Sequence, residues 1–329
     1  MADPIPSWPG EFVGLDVGDI YVRTAPARPA LAAGGPADAD SERVVLVHGL
    51  GGSSRNWTDL MDLLSRPGRP GEAVLTCEAL DLPGYGDSPL PAGGDYSIGG
   101  QAASVIAFID RQGRWPVHLV GNSLGGAVCT RVAARRPDLV RTLTLISPAL
   151  PDLRPRILPL RVAAVSVPGI GAWALSRLEA QSAEQRTLRS LRDVFADPAL
   201  MHPSRVQEEI DEVVRRDSLG YQVEVLLGSV RSLVAEYTRR GPGTLWRDAA
   251  RVTAPTLVIH GSHDRLVSPA SAARAARSFR YGQAVVLPRV GHVAMMERPD
   301  LVARLMREFL TMAGPGRPGE SLQLDKVPN

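Results

Sequence analysis

The chain has 329 residues, enough to bury a substantial core as one large domain or two modest ones. Its 37 basic and 35 acidic residues leave a net charge of only +2. With no basic run, nucleic acid is not an expected partner. No stretch reaches the roughly 20 apolar residues that span a bilayer. The opening MADPIPSWPGEFV has neither the basic start nor the apolar core of a secretory signal. The expected location is therefore the cytoplasm, without an integral membrane segment. Cys77 and Cys129 fall in segments that read as buried strand and helix, so reduced thiols are expected rather than a disulfide.

In chain order, residues 11–27 alternate apolar and polar positions around Val17-Gly18-Asp19, which predicts an antiparallel hairpin. The Ala-, Gly- and Pro-rich stretch 28–42 reads as a surface loop. Continuous apolar runs follow at 44–49, 73–84, 117–123, 140–148, 255–261 and 284–292. Runs of this kind suit strands buried on both faces. Helical stretches such as GGAVCTRVAARRP and SPASAARAARSF separate most of them, which predicts an α/β fold with a parallel, doubly wound sheet. Residues 151–245 break the alternation with helix-like pieces and no strand, as expected of a helical insertion. The tail 313–329 has the composition of a disordered segment.

Gly121-Asn122-Ser123-Leu124-Gly125 fits G-x-S-x-G between a strand (VHLV) and a helix (GGAVCTRVAARR). A sharp turn there strains the serine backbone, and the flanking glycines relieve the crowding. The hydroxyl is then exposed above the sheet. The N–H groups and dipole of the helix N-terminus lie where an oxyanion would develop. A serine needs a base oriented by a carboxylate. His292, in VGHVAMMERPD after the last apolar run, is the expected base. His118 and His260 lie in strands and suit packing, and His202 is expected to be exposed. His263 comes too early for the chain order of this fold. Asp264, after the strand PTLVIHG, is the expected acid, against a lesser role as a helix cap near Pro269. Asp81 and Asp87 sit in a Pro-Gly turn and suit turn chemistry. The glycine-rich turn His48-Gly49-Leu50-Gly51-Gly52 lets a backbone N–H approach a substrate carbonyl. The oxyanion hole is assigned to the N–H groups of Leu50 and Leu124, with Gly51 as the alternative to Leu50. His48 itself is expected to hold the loop. No G-K-[ST] follows, which argues against a phosphate cradle. No histidine or cysteine pair has ligand spacing, so neither a metal nor a cofactor is expected.

Taken together, VVLVHGLGGSSRNW, ALDLPGYGDS, LVGNSLGGAV, LVIHGSHDRLVSP and VGHVAMMERPD resemble the α/β-hydrolase superfamily over most of residues 11–312. The resemblance implies a mostly parallel eight-stranded sheet flanked by helices. The core would span 11–150 and 246–312, with 151–245 as a helical lid. It likewise implies Ser123 as nucleophile, Asp264 as acid and His292 as base. Epoxide hydrolases and haloalkane dehalogenases carry an aspartate in place of Ser123, which disfavours those reactions. The GNSLGG turn is similar to that of carbon–carbon hydrolases of aromatic ring-cleavage products. Those enzymes usually have a tryptophan where this chain has Val293, and a glycine loop richer in Gly-Pro. A carboxylesterase or lipase-like acyl hydrolase is the expected activity. Carbon–carbon, thioester or lactone cleavage is the alternative, and a purely ligand-binding role is disfavoured by the complete triad. The apolar stretch 157–175 suits lid packing or the wall of a pocket, which points to a small-molecule substrate, a neutral, apolar ester or related acyl compound, in preference to an anionic one.

Overall fold

Alternate residues of the apolar runs point to opposite faces of one sheet, and both faces are covered. The computed structural model describes residues 5–28, 41–69, 72–151 and 181–313. Its strands are β1 (Gly10–Val13), β2 (Ile20–Ala25), β3 (Glu42–Val47), β4 (Leu75–Asp81), β5 (Val117–Asn122), β6 (Val140–Ile146), β7 (Thr256–Gly261) and β8 (Gly282–Leu287). They form one sheet in the order β1-β2-β4-β3-β5-β6-β7-β8. β2 is antiparallel to β1 and β4, and the remaining pairs are parallel. The first two strands make the expected hairpin. Gly18 turns it at φ 111°, and its N–H donates to the Leu15 carbonyl at 3.0 Å.

The helices are α1 (Thr58–Ser65), α2 (Ile98–Gln112), α3 (Leu124–Arg135), α4 (Ala183–Val194), α5 (Pro203–Ser218), α6 (Gln222–Thr238), α7 (Leu245–Arg251), α8 (Ala272–Ser278), α9 (Ala294–Glu297) and α10 (Pro299–Met312). Val45, Val47, Leu119 and Leu143 share a buried cluster with Phe108 of α2 and Val128 of α3. Their strand neighbours Val44, Leu46 and Val120 join Leu60 of α1 and Phe309 of α10 on the other face. Cys77 and Cys129 are buried and unpaired in these layers. β8 lies at the edge, and there the apolar run becomes an alternation, with Val286 44% exposed.

Among the described residues, α4, α5, α6 and α7 lie between β6 and β7. The stretch 157–175, most of 28–42 and the tail beyond Ala313 fall outside the described residues. Buried Arg131 of α3 ties this region to the sheet helices. It donates to Glu236 of α6 at 3.2 Å and to Asp248 of α7 at 2.9 Å.

The topology also fixes where a ligand can sit. From β3 the chain moves outward to β4, then returns to place β5 on the other side of β3. The loops leaving the carboxyl ends of β3 and β5 therefore part, and the crevice between them is the usual ligand position in open α/β sheets. Register aligns these ends: Val47 pairs with Gly121, Asn122 with Ile146, and Ile146 with Ile259. The loops holding residues 48–52, Ser123 and Asp264 accordingly leave the same edge of the sheet.

Candidate active site

The turn after β5 is built around Ser123, whose backbone has φ 52° and ψ −116°. A non-glycine residue in such a conformation costs about 1–3 kcal/mol and persists only when its surroundings enforce it. Here they do. The Ser123 N–H donates to the Ile146 carbonyl at 3.0 Å, and its own carbonyl accepts from Ala127 and Ala149 at 3.2 and 2.9 Å. Both motif glycines are required by space. A Cβ at Gly121 would lie 2.4 Å from the Gly125 carbonyl oxygen, and one at Gly125 would lie 2.2 Å from that of Val47. α3 begins immediately after the serine, so Leu124 supplies one of the N-terminal N–H groups that a helix leaves without an internal partner.

His292 follows β8 in the loop before α9. Its Nδ1 pairs with Asp264 Oδ2 at 2.9 Å. That bond occupies Nδ1 and leaves Nε2 as the nitrogen for a reacting proton. The other carboxylate oxygen, Oδ1, accepts from the N–H groups of Leu266 and Val267 at 2.8 and 2.9 Å. Asp264 thus caps its own turn with one oxygen and orients the imidazole with the other, instead of capping a helix near Pro269. Burial pushes its carboxyl upward. The His292 imidazole and the Val267 N–H outweigh that and hold it below its ordinary value. Asn122 links the serine turn to the histidine loop, its Nδ2 donating to the carbonyls of Ile146 at 3.0 Å and His292 at 3.2 Å.

The turn after β3 presses against the serine. A Cβ on Gly49 would lie 3.1 Å from that of Ser123. The Gly52 N–H closes the turn onto the Gly49 carbonyl at 3.1 Å, with Gly51 at φ 71°. His48 holds the loop as expected. Its Nε2 accepts from Leu82 N–H at 3.0 Å, so the proton sits on Nδ1, which donates to the Gly49 carbonyl at 2.8 Å. Burial lowers the His48 pKa to about 4.

Ser123, His292, Leu50, Gly51 and the apolar side chains of Leu150, Leu233 and Val293 line one cavity of about 550 Å³. α4, α5 and α6 all contribute to its wall, through residues that include Val194, Glu209 and Val230.

None of the other candidates lines the cavity. Asp81 accepts from Ser54 and Asp87 N–H at 2.5 and 2.8 Å, which is turn chemistry. His118 bridges Thr142 and Glu42, and buried His260 has no hydrogen-bond partner among the described residues. His263 bonds its neighbour Ser262. His202 is half-buried rather than exposed, because its ring accepts from the Ser204 N–H at 3.2 Å and caps α5.

Glu297 was not anticipated from sequence. Its buried carboxylate accepts from the N–H groups of Gly291 at 2.7 Å, Ala196 at 3.2 Å and Asp197 at 3.1 Å. The His292 N–H also reaches the Val194 carbonyl at 2.6 Å. The His292 loop is thereby fastened to the end of α4. An acid five residues after a histidine is a weak signal, since its three partners are backbone groups that no residue type announces.

Residues 42–299 match the family model for the alpha/beta hydrolase fold, and the chain belongs to that family. It is 29% identical over 277 residues to a monoacylglycerol lipase, abhd6-A of Xenopus laevis, covering 82% of this chain and 75% of that one. Among solved structures it is similar to Cfl2 of Burkholderia cenocepacia, with a TM-score of 0.72 and 21% identity over 94% of this chain and all of that one (100%). It is also similar to the 2-hydroxy-6-oxo-6-phenylhexa-2,4-dienoate hydrolase of Rhodococcus sp. strain RHA1, with a TM-score of 0.67 and 21% identity over 92% and 99% of the two chains.

Proposed function

We propose that the protein is a serine hydrolase that cleaves neutral carboxylic esters through an acyl-enzyme on Ser123. The observation that carries this reading is the strained Ser123 turn, which shares a cavity with a histidine already paired to a buried carboxylate. His292 Nε2 takes the Ser123 proton as the oxygen attacks the ester carbonyl. Asp264 keeps the imidazole in the Nδ1–H tautomer and stabilises its charged form. The N–H groups of Leu50 and Leu124 stabilise the tetrahedral oxyanion. The close approach of Gly49 to Ser123 favours Leu50, the next residue, over Gly51. His292 then returns the proton to the leaving alcohol, and water activated by the same nitrogen releases the acid.

Residues 151–245 serve as the lid over a core of 11–150 and 246–312, a role supported by the contributions of α4, α5 and α6 to the cavity wall. Ester cleavage is supported by the lipase relative. The lining favours it over ring-cleavage chemistry, whose dienoate substrates carry a carboxylate. Asp193 and Glu209 line the cavity, and among the described residues no lysine or arginine does. The test is a panel of neutral esters of graded acyl length, one anionic ester and one ring-cleavage dienoate. Turnover should be greatest on a neutral medium-chain ester and vanish in Ser123→Ala. Preferred turnover of the dienoate would replace ester hydrolysis with carbon–carbon cleavage.

A further inference from the structure

The walls of the cavity differ in chemistry. Val230, Leu233 and Val234 of α6, with Leu150, make an apolar side suited to an acyl chain. Beside the glycine turn, Asn56 and Glu209 make a polar side. Asn56 is held at both ends of its amide: its Oδ1 accepts from the Ser53 N–H at 3.0 Å, and its Nδ2 donates to Glu209 Oε1 at 3.1 Å. That bond fixes the Glu209 carboxyl in place. Its second oxygen, Oε2, accepts no hydrogen bond among the described residues, although Glu209 borders the space where substrate must lie.

A carboxyl oxygen held by one partner and open to a cavity is a preorganised acceptor for a donor on the ligand. Resting on the ester-hydrolase reading above, we infer that Glu209, fixed by Asn56, is a specificity-determining residue that accepts a hydrogen bond from a hydroxyl on the alcohol part of the substrate. The preferred substrates are then medium- or long-chain acyl esters of a polyol. The ester carbonyl lies at Ser123, the acyl chain along α6, and the free hydroxyls toward Glu209. A hydroxyl fits this site better than a cation. Burial raises the Glu209 pKa, and although Arg216 opposes that rise, nearby Glu212 adds to it. Arg216 is itself anchored beside the site, donating from Nη1 to the Gly51 carbonyl at 2.5 Å.

The test holds the acyl chain constant and varies the alcohol. kcat/KM is measured with the full chain for 1-octanoylglycerol, ethyl octanoate and octanoylcholine, in wild type, Glu209→Leu and Glu209→Gln. Active sites are counted by fluorophosphonate labelling, so the ratios refer to folded enzyme only. The wild type should prefer the glycerol ester to the ethyl ester by about tenfold or more, the scale of one hydrogen bond to a carboxyl group. Glu209→Leu should abolish most of that preference, and Glu209→Gln, whose one carbonyl oxygen must serve either Asn56 or the ligand hydroxyl, should retain only part of it. If Glu209→Leu does not fold, a drop of at least about threefold in the ratio for Glu209→Gln decides the matter. An unchanged ratio overturns the subsite while leaving ester hydrolysis intact. Preference for octanoylcholine, which is cationic but has no hydroxyl donor, overturns it in favour of charge attraction. Failure to turn over any of the three esters removes the catalytic reading and the subsite together.

Discussion

On the proposed mechanism Ser123, His292 and Asp264 work as a unit, so their loss should be non-additive. Ser123→Ala and His292→Gln are each expected to lower ester turnover by several orders of magnitude, and the double variant by hardly more. Asp264→Asn should cost roughly 10⁴-fold, because an amide opposite Nδ1 favours the wrong tautomer. Steady-state kinetics on one neutral ester checks all four proteins. Glu297 acts one step further out. Glu297→Ala strands three backbone N–H groups and releases the His292 loop from α4. The expected result is a fall in kcat of about 10–100-fold, the cost of roughly an ångström of misplacement. The rate of fluorophosphonate labelling should fall in parallel. A kcat within twofold of wild type would mean that the loop holds its own shape.

At the scale of elements, the turn after β5 is the most demanding. Gly125→Ala drives a Cβ into the Val47 and His48 carbonyls, backbone atoms that cannot swing away. Its thermal stability should fall by more than the ~1–3 kcal/mol typical of overpacking. Gly113→Ala, at the C-cap of α2 with φ 64° and open space around it, should cost only about 1–2 kcal/mol. The same contrast explains what was legible in the sequence. The glycines around Ser123, the apolar runs of β3 to β7 and the loop residues Asp264 and His292 all carry strong residue-type constraints. Strand ends were legible to within a few residues, because Pro, Gly and Asp mark where each run stops. The partners of Glu209, Asn56 and Glu297 were not legible. They lie between 100 and 153 positions away along the chain, or are nearby backbone groups, and depend on how α4 and α5 settle over the sheet.

Across the whole molecule, buried Arg131 joins α3 to α6 and α7, and Arg131→Ala leaves buried Glu236 and Asp248 with only the half-exposed Arg239 and the more distant Arg251 as cations. Breaking such a pair costs about 3–5 kcal/mol, measurable by chemical denaturation. Stability should also fall in mild acid. Burial lowers His48 and His260 to about 4, below the ordinary 6.5. The unfolded chain therefore takes up protons that the fold refuses, and the contribution of each histidine, at most roughly 3 kcal/mol, is present above pH 6.5 and lost as pH falls toward 4. Lowered Asp264 adds to this loss at still lower pH. Asp81, raised to about 6 by burial, runs the other way, its contribution fading as pH rises through that value, and Glu209, also raised by burial, acts in the same sense. The two histidine shifts set the sign, so Tm should drop between pH 7 and pH 4.5. His260→Leu should shallow that drop, and an unchanged slope would exclude His260 as its source.

Whether Ser123 is the nucleophile is decided by mass-spectrometric mapping of a fluorophosphonate adduct on the native chain. A single adduct on Ser123 is expected, formed in parallel with loss of ester turnover and absent from Ser123→Ala and from acid-unfolded protein. An adduct on another residue, or ester turnover that survives full modification of Ser123, would contradict it.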